Sequence, residues 1–438
     1  MTACFPVITG LGAITPLGLS YRDLWQGLCQ GNCGISRITA FDPAGFTCQI
    51  AGQAPEFSIR DYVPKAMRKT TKLMSRDIEL AVVAADDAFK DAGLITKAFD
   101  EQNITINPER TSIILGAGLI SCDLIELAPA VAKSITDGKF DIKKWGAEGI
   151  NLLTPLWLLK YLPNMLACHV GIIHDIQGPS NTITCAEAAG QIAIGEAAQI
   201  IQRGDADLAL TGGGEAKVNP IVHLRQCLLK RATADYNDNP QGACRPFDAK
   251  ASGSVFGEAA ASVIMETPDS AKKRNAKIYA QVAGFGQSCS INSKYESIEP
   301  DGKGIQYAIE SALEEAKIKP DQLDLIIPHG TGIPSDDIAE ATAIRNALGN
   351  AADKIPVFPT KSMTSNTGAA AGALDVIAAC CAIRDGIIPA AKNCENINKD
   401  CKLNIAKQPI KKKLNYVLCC SYTYGGQTAA VILKNFKF

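Results

Sequence analysis

Histidine is scarce here, four residues in 438, so every candidate imidazole can be inspected singly. Net charge is missing too. Lys plus Arg is 44 against Asp plus Glu at 45, a balance that argues against nucleic acid or a generally charged membrane surface as partner. No stretch approaches the ~18 consecutive apolar residues of a membrane span. The longest apolar region, Ala369 to Ile383, is broken by Asp375 and suits a buried helix. The first residues lack the basic start, apolar core and cleavage site of a secretory signal, so a cytoplasmic location is expected. Low-complexity segments and long linkers are also absent. Cysteine, in contrast, is plentiful. The 16 thiols are scattered through apolar segments, as at Cys380-Cys381 and Cys419-Cys420, and read as small buried hydrophobes in a reducing compartment. Cys29 and Cys33 have loosely metal-like spacing but no companion pair, so no metal is expected.

Strand-like apolar runs alternate with helical stretches along the whole chain. The runs are Phe5–Gly10, Thr111–Leu115, Ala206–Thr211, Ala260–Met265, Leu323–Pro328, Asn415–Cys420 and Ala429–Leu433. Helical periodicity covers Arg76–Ala92, Ala188–Arg203, Gly304–Ala316 and Ile338–Leu348. This alternation predicts an α/β fold. Residues 257–266 resemble residues 425–434, each expected to be a closing strand, which suggests an internal duplication. Two packed halves, 1–267 and 268–438, follow as the expected domains. The basic stretch from Lys392 to Lys413 reads as a solvated loop.

Gly178-Pro179-Ser180 leads through a β-branched run to Thr184-Cys185-Ala186, and small residues at helical spacing follow. That pattern predicts a strand-to-helix turn with Cys185 at its tip. Unpaired N–H groups and the positive end of a helix dipole both favour thiolate there. A buried inert thiol is the alternative on local pattern alone.

The motif resembles the nucleophile elbow of the β-ketoacyl-ACP synthases, the condensing enzymes of fatty-acid and polyketide synthesis. Other stretches resemble the same family in the same order: Val7 to Gly18, Gly204-Asp205-Ala206-Asp207 leading to Gly212 to Ala216, and Arg245-Pro246-Phe247-Asp248 leading to Gly257-Glu258. The resemblance implies a thiolase-like fold, two related α/β halves in five αβαβα layers. It further implies that Cys185 carries an acyl thioester. His329, in His329-Gly330-Thr331-Gly332, would stabilise the enolate formed from malonyl-ACP and the later oxyanion. Glu340 and Lys361 would form a buried supporting pair, Thr331 would touch the phosphopantetheine arm, and the backbone N–H of Tyr424 would complete an oxyanion hole with that of Cys185. Lys65, Arg68 and Lys69, with Lys72, would share one helix face and dock an acidic acyl carrier protein. No cofactor is implied, since substrates ride on the carrier's phosphopantetheine.

The chain departs from the family pattern at several points. Lys361-Ser362-Met363-Thr364 is followed by Ser365-Asn366, where relatives have Gly-His, so Asn366 stands at the second catalytic histidine. Ile333 replaces a threonine of the pantetheine-binding loop, and Thr423 replaces a glycine of the gate, which should stiffen it. His169, His174 and His223 lie in the first half and read as structural. Two outcomes follow for Asn366. An amide can donate to the thioester carbonyl as an imidazole does, as in Cys-His-Asn members of the superfamily, so condensation proceeds. Alternatively the chain is a non-elongating homologue: a transacylase, a decarboxylase or a partner subunit. The first is the expectation, because Cys185, His329 and Lys361 are all present. A thiolase reading fails because Cys419-Cys420 lacks the Cys-x-Gly setting. The departures together suggest a specialised fatty-acid or type II polyketide pathway. The segment from Ile120 to Tyr161 is expected to shape the tunnel and a dimer contact, with either a copy or a chain-length-factor subunit.

Overall fold

The computed structural model describes residues 5–290, 292 and 297–436. Nine strands form its principal mixed sheet. In chain order they are β1 (Val7–Ile14), β2 (Thr111–Ala117), β3 (Ser180–Ile183), β4 (Leu208–Ala216), β5 (Glu258–Glu266), β6 (Ala280–Cys289), β7 (Leu325–Ile327), β8 (Tyr416–Tyr422) and β9 (Gln427–Lys434). Across the sheet they run β7-β8-β9-β6-β1-β5-β4-β2-β3.

The order contains one topology twice. β1 pairs antiparallel with β5, β5 antiparallel with β4, then β4 with β2 and β2 with β3 in parallel. β6 pairs antiparallel with β9, β9 antiparallel with β8, and β8 parallel with β7. A single parallel bridge between Ile326 and Val357 stands where the fifth strand would lie. Even the irregularities correspond, with a register shift between Ile8 and Gly10 in β1 and another between Val282 and Gly284 in β6. The similar segments 257–266 and 425–434 are thus β5 and β9, matching strands of the two repeats. Within the sheet, among the described residues, the two repeats pair where Val7 and Ile8 meet Gln281 and Ala280.

Helices make the remaining layers. α1 (Arg76–Ala92) and α2 (Met165–His174) cover the outer face of the first repeat. α3 (Ala189–Arg203) and α6 (Ala371–Asp385) lie between the repeats and touch both. α4 (Lys303–Ala316) and α5 (Pro334–Leu348) cover the second repeat, which gives the five-layered αβαβα, thiolase-like arrangement. Sandwiching explains the composition of the strands. β4 and β5 are buried at every position and read as continuous apolar or small runs, not as alternation. α6 is likewise buried from Ala371 to Ile383, so it has no polar stripe. A side chain at Gly190 would strike the carbonyl of Ala369, so that glycine permits the central helices to meet.

Two sequence expectations change. The run from Lys65 to Leu73 is a 3₁₀ helix, not an α-helix. At three residues per turn, Lys65 and Lys69 fall on adjacent rows, each shared with a residue three further on, so the basic residues occupy two rows and not one face. The stretch from Lys392 to Lys413 is only partly solvated, with Cys394, Cys401, Leu403, Ile405 and Ala406 tucked into the core. Among the described residues, no helix is long and apolar enough to cross a membrane.

Candidate active site

β3 ends at Ile183, and the chain turns through Thr184 and Cys185 into a 3₁₀ turn, Ala186–Ala188, before α3 begins. Ala186 has φ +43°, a left-handed conformation tolerated because its side chain is only a methyl. The amide of Ala188 donates to the Cys185 carbonyl at 3.1 Å, closing the turn. Cys185 is half-buried and lies on the wall of a cavity of about 420 Å³ with Thr184, Glu187, Lys217 and Tyr424. Burial pushes its thiol above the ordinary value, and Cys289 acts in the same direction. The helix start was expected to favour thiolate. α3, however, begins a full 3₁₀ turn beyond the sulfur, and desolvation dominates.

The second repeat supplies the loop His329–Gly332 after β7. The amides of His329 and Gly330 donate to the two carboxylate oxygens of Glu340, at 2.6 and 2.8 Å. The amide and hydroxyl of Thr331 donate to Asp337 Oδ1, at 2.9 and 3.1 Å, and the Gly332 amide joins them. Two carboxylates on α5 therefore hold the loop. His329 is 1% exposed, with its ring edge-on to Tyr422 at 4.6 Å between centroids. Burial, reinforced by Lys361, drives its pKa well below the ordinary value, so the imidazole is neutral. Its Nδ1 has no hydrogen-bond partner.

Glu340 and Lys361 do not form the expected pair. Lys361 Nζ bonds instead to Asp375 Oδ2 at 3.2 Å, and the Thr360 hydroxyl donates to the other oxygen at 2.6 Å. The physical reason is that Glu340 already accepts two loop amides, while Asp375 sits on α6 facing the lysine. Asp375, noticed in sequence only as a break in an apolar run, is the counter-ion that the buried ammonium requires. A lone acid in an otherwise apolar helix was the available signal.

Asn366 follows Ser365, whose φ of +66° turns the chain back towards the elbow. Its amide donates to the Val255 carbonyl at 2.7 Å, and its Oδ1 accepts from the Gly368 amide at 3.1 Å. Nδ2 thereby points at Glu187, reaching Oε1 at 3.5 Å. Glu187 also pairs with Lys217 at 3.3 Å, and Lys217 with Glu215 at 3.3 Å. Glu187 and Glu215 lie in or beside stretches the sequence singled out, but their link through Lys217 escaped the sequence reading because Glu187 and Lys217 are 30 residues apart.

Tyr424 lines the cavity beside Thr423, under the guanidinium of Arg231 at 5.0 Å from its ring. Arg231 is fixed in turn by Asp336 at 2.7 Å. Thr331 has its hydroxyl committed to Asp337 and is 1% exposed, so it presents no free hydroxyl to a pantetheine arm in this conformation. Lys65, Arg68 and Lys69 are all exposed. The remaining histidines are packed elsewhere: His174 Nδ1 lies 2.8 Å from the Thr96 hydroxyl, His223 Nε2 lies 2.7 Å from the Cys48 carbonyl, and His169 is buried on α2. Among the described residues, no group of three or more His, Cys, Asp or Glu side chains is placed to hold a metal ion.

Comparison with known proteins identifies the family and the fold. Residues 7–271 match the beta-ketoacyl synthase N-terminal domain and residues 279–395 the C-terminal domain. The 3-oxoacyl-[acyl-carrier-protein] synthase 2 of Coxiella burnetii is 34% identical over 98% of both chains. The ishigamide ketosynthase/chain length factor superposes with a TM-score of 0.85 at 27% identity, covering all of both chains. A type II polyketide ketosynthase, solved with its acyl-carrier protein and a bound hexaketide, gives 0.83 at 25% identity, again over all of both chains. The chain belongs to the β-ketoacyl synthase family, the condensing acyltransferases of fatty-acid and polyketide synthesis.

Proposed function

We propose that the chain condenses an acyl group held on Cys185 with malonyl-ACP, using His329 and Asn366 where many relatives use two histidines. The supporting observation is that Cys185 from the first repeat and Tyr424 from the second line one cavity; His329 and Asn366 are not among its lining residues, and Asn366 meets Glu187, two residues beyond the thiol. In the first step the Cys185 sulfur bonds to the acyl carbonyl carbon, the carbon–sulfur bond to the carrier breaks, and the carrier thiol leaves with the proton. In the second, the bond between the malonyl α-carbon and its carboxylate breaks and releases carbon dioxide. The resulting enolate carbon bonds to the acyl carbon and expels the Cys185 thiolate. The neutral His329 imidazole and the Asn366 amide are hydrogen-bond donors to the enolate oxygen, and the Cys185 and Tyr424 amides to the tetrahedral oxyanion. Lys361 sets the field around His329, and Glu340 holds its loop.

An acidic carrier protein fits the exposed Lys65, Arg68 and Lys69. A dimer fits two features: the open edge of β3 and the exposed apolar side chains of Leu124, Ile125, Ile142 and Leu158. The partner is a copy or a related chain-length-factor subunit, and the native mass of the chain purified alone distinguishes them. Asn366, Ile333, Thr423 and Tyr424 support a specialised pathway. One observation favours the non-elongating reading: Asn366 Nδ2 already has Glu187 as an acceptor. Intact-mass analysis with acyl-ACP and malonyl-ACP decides. Elongation predicts an acylated Cys185 that is discharged as β-ketoacyl product. Acylation without product, even with a partner subunit supplied, would leave a transacylase, and recovery of elongation by Asn366→His would trace the loss to the amide.

A further inference from the structure

A second thiol, Cys289, stands at the end of β6, and the condensation has no task for it. It is exposed, unlike Cys380, Cys381, Cys419 and Cys420, which are buried in the core. Strand geometry fixes the direction of its side chain. Phe285, Gln287 and Cys289 alternate onto one face of β6. A side chain at Gly195 would strike the Phe285 ring, so that face is turned towards α3. The cross-strand partners agree. Phe285 lies opposite Val431, which packs in the core between the repeats, and Cys289 lies opposite Gln427. Gln427 lines the same cavity as Cys185. Side chains directly opposite in an antiparallel pair stand ~5 Å apart between Cβ atoms, so Cys289 flanks that cavity at Gln427. The two thiols also lie within electrostatic reach, since Cys289 adds to burial in raising the Cys185 thiol.

We propose that Cys185 and Cys289 form an oxidative modification site, a thiol pair that a hydroperoxide converts into a disulfide. The exposed Cys289 is the thiol a peroxide reaches first. Its sulfur takes one peroxide oxygen as the O–O bond breaks, giving a sulfenic acid and releasing water from hydrogen peroxide. The Cys185 sulfur then bonds to that sulfur, and the hydroxyl leaves with the thiol proton as a second water. Each sulfur gives up one electron, and the peroxide takes both. Cys185 stands two residues beyond the end of β3 and Cys289 is the last residue of β6, so neither is held inside a ladder as the bond closes. A disulfide is reopened by thiol reductants, whereas a thiol oxidised alone can proceed to an irreversible sulfinic acid. Where thiols are otherwise kept reduced, such disulfides are transient and redox-sensing. That the bond blocks acyl loading rests on Cys185 being the acyl-carrying thiol; the bond itself does not.

The test exposes the reduced full-length chain to hydrogen peroxide and maps its peptides without reduction, reading acyl loading from hexanoyl-pantetheine in parallel. The Cys185 and Cys289 peptides should appear joined, with loading lost in step with the joined fraction and both reversed by dithiothreitol. Cys29, also exposed, controls for indiscriminate oxidation. Cys289→Ser should load as the reduced wild type does, yet recover far less loading after peroxide and dithiothreitol, because Cys185 has no partner to trap it. Should that variant fail to fold, the wild-type map decides alone. Cys185 found as an oxyacid or joined to another cysteine, with Cys289 left free, would overturn the proposal. Joined peptides in a chain whose reduced form loads no thioester would leave the disulfide standing and sink the acyl-carrier reading instead.

Discussion

In the second repeat, the loop His329–Gly332 is held from behind by Glu340 and Asp337, and Lys361 is held by Asp375 and its neighbours. In the first repeat, the turn bearing Cys185 is half-open, and Glu187 and Gln226 beside it keep buried oxygens unpartnered. Both walls come from the same topology, and each keeps buried polar atoms unpartnered, His329 Nδ1 in the second and Glu187 Oε2 in the first; they differ in that carboxylates on α5 hold the second wall's backbone from behind. A group that stabilises charge in a transition state works best when it cannot move, so its supports are internal.

Glu340→Ala should show the largest effect, because it leaves the amides of His329 and Gly330 buried without acceptors. Its expected cost is ~2–6 kcal/mol, for two orphaned donors at ~1–3 kcal/mol each, measured as a shift in urea unfolding. A loss below ~1 kcal/mol would show that the loop relaxes and that its rigidity is not held by α5.

A smaller effect tests who partners Lys361. Double-mutant cycles on unfolding free energy should give a coupling of ~1–3 kcal/mol for Lys361 with Asp375, and less for Lys361 with Glu340. Equal or reversed couplings would restore the Glu340–Lys361 pair that the motif suggested.

That correction illustrates what was legible. Local features were: α1 spans Arg76–Ala92 as its periodicity predicts, bounded by Ser75 and Gly93, and the Cys185 turn follows from a β-branched run meeting small residues. The duplication was visible because β5 and β9 are matching closing strands with similar packing demands. Other elements were silent for physical reasons. β6 contains glycines and polar residues that dilute its strand pattern, and α2 is buried on most sides, so it has no amphipathic stripe. The Glu187–Lys217–Glu215 triad and the Lys361–Asp375 pair depend on three-dimensional packing, which motif spacing does not encode. The 3₁₀ form of Lys65–Leu73 is a choice between two helices that the same residues can enter.

The smallest effect concerns the thiol itself, where burial and the start of α3 pull in opposite directions. Burial places the Cys185 pKa above its ordinary value of 9.0, so near neutral pH the group is a thiol and its thiolate fraction grows about tenfold per pH unit. Each such unit corresponds to ~1.4 kcal/mol. The rate of alkylation by iodoacetamide at Cys185, read by peptide mapping so that the exposed Cys29 and Cys289 are followed separately, should therefore climb from pH 7 to 9 without levelling. A plateau below pH 8 would mean that the helix start outweighs desolvation. The cavity's open wall would then carry a preformed thiolate, and the contrast between a poised second repeat and an unpoised first one would disappear. A continuous climb instead means that Cys185 is a protonated thiol near neutral pH, so that the acyl transfer proposed for it would have to move that proton as the thioester arrives.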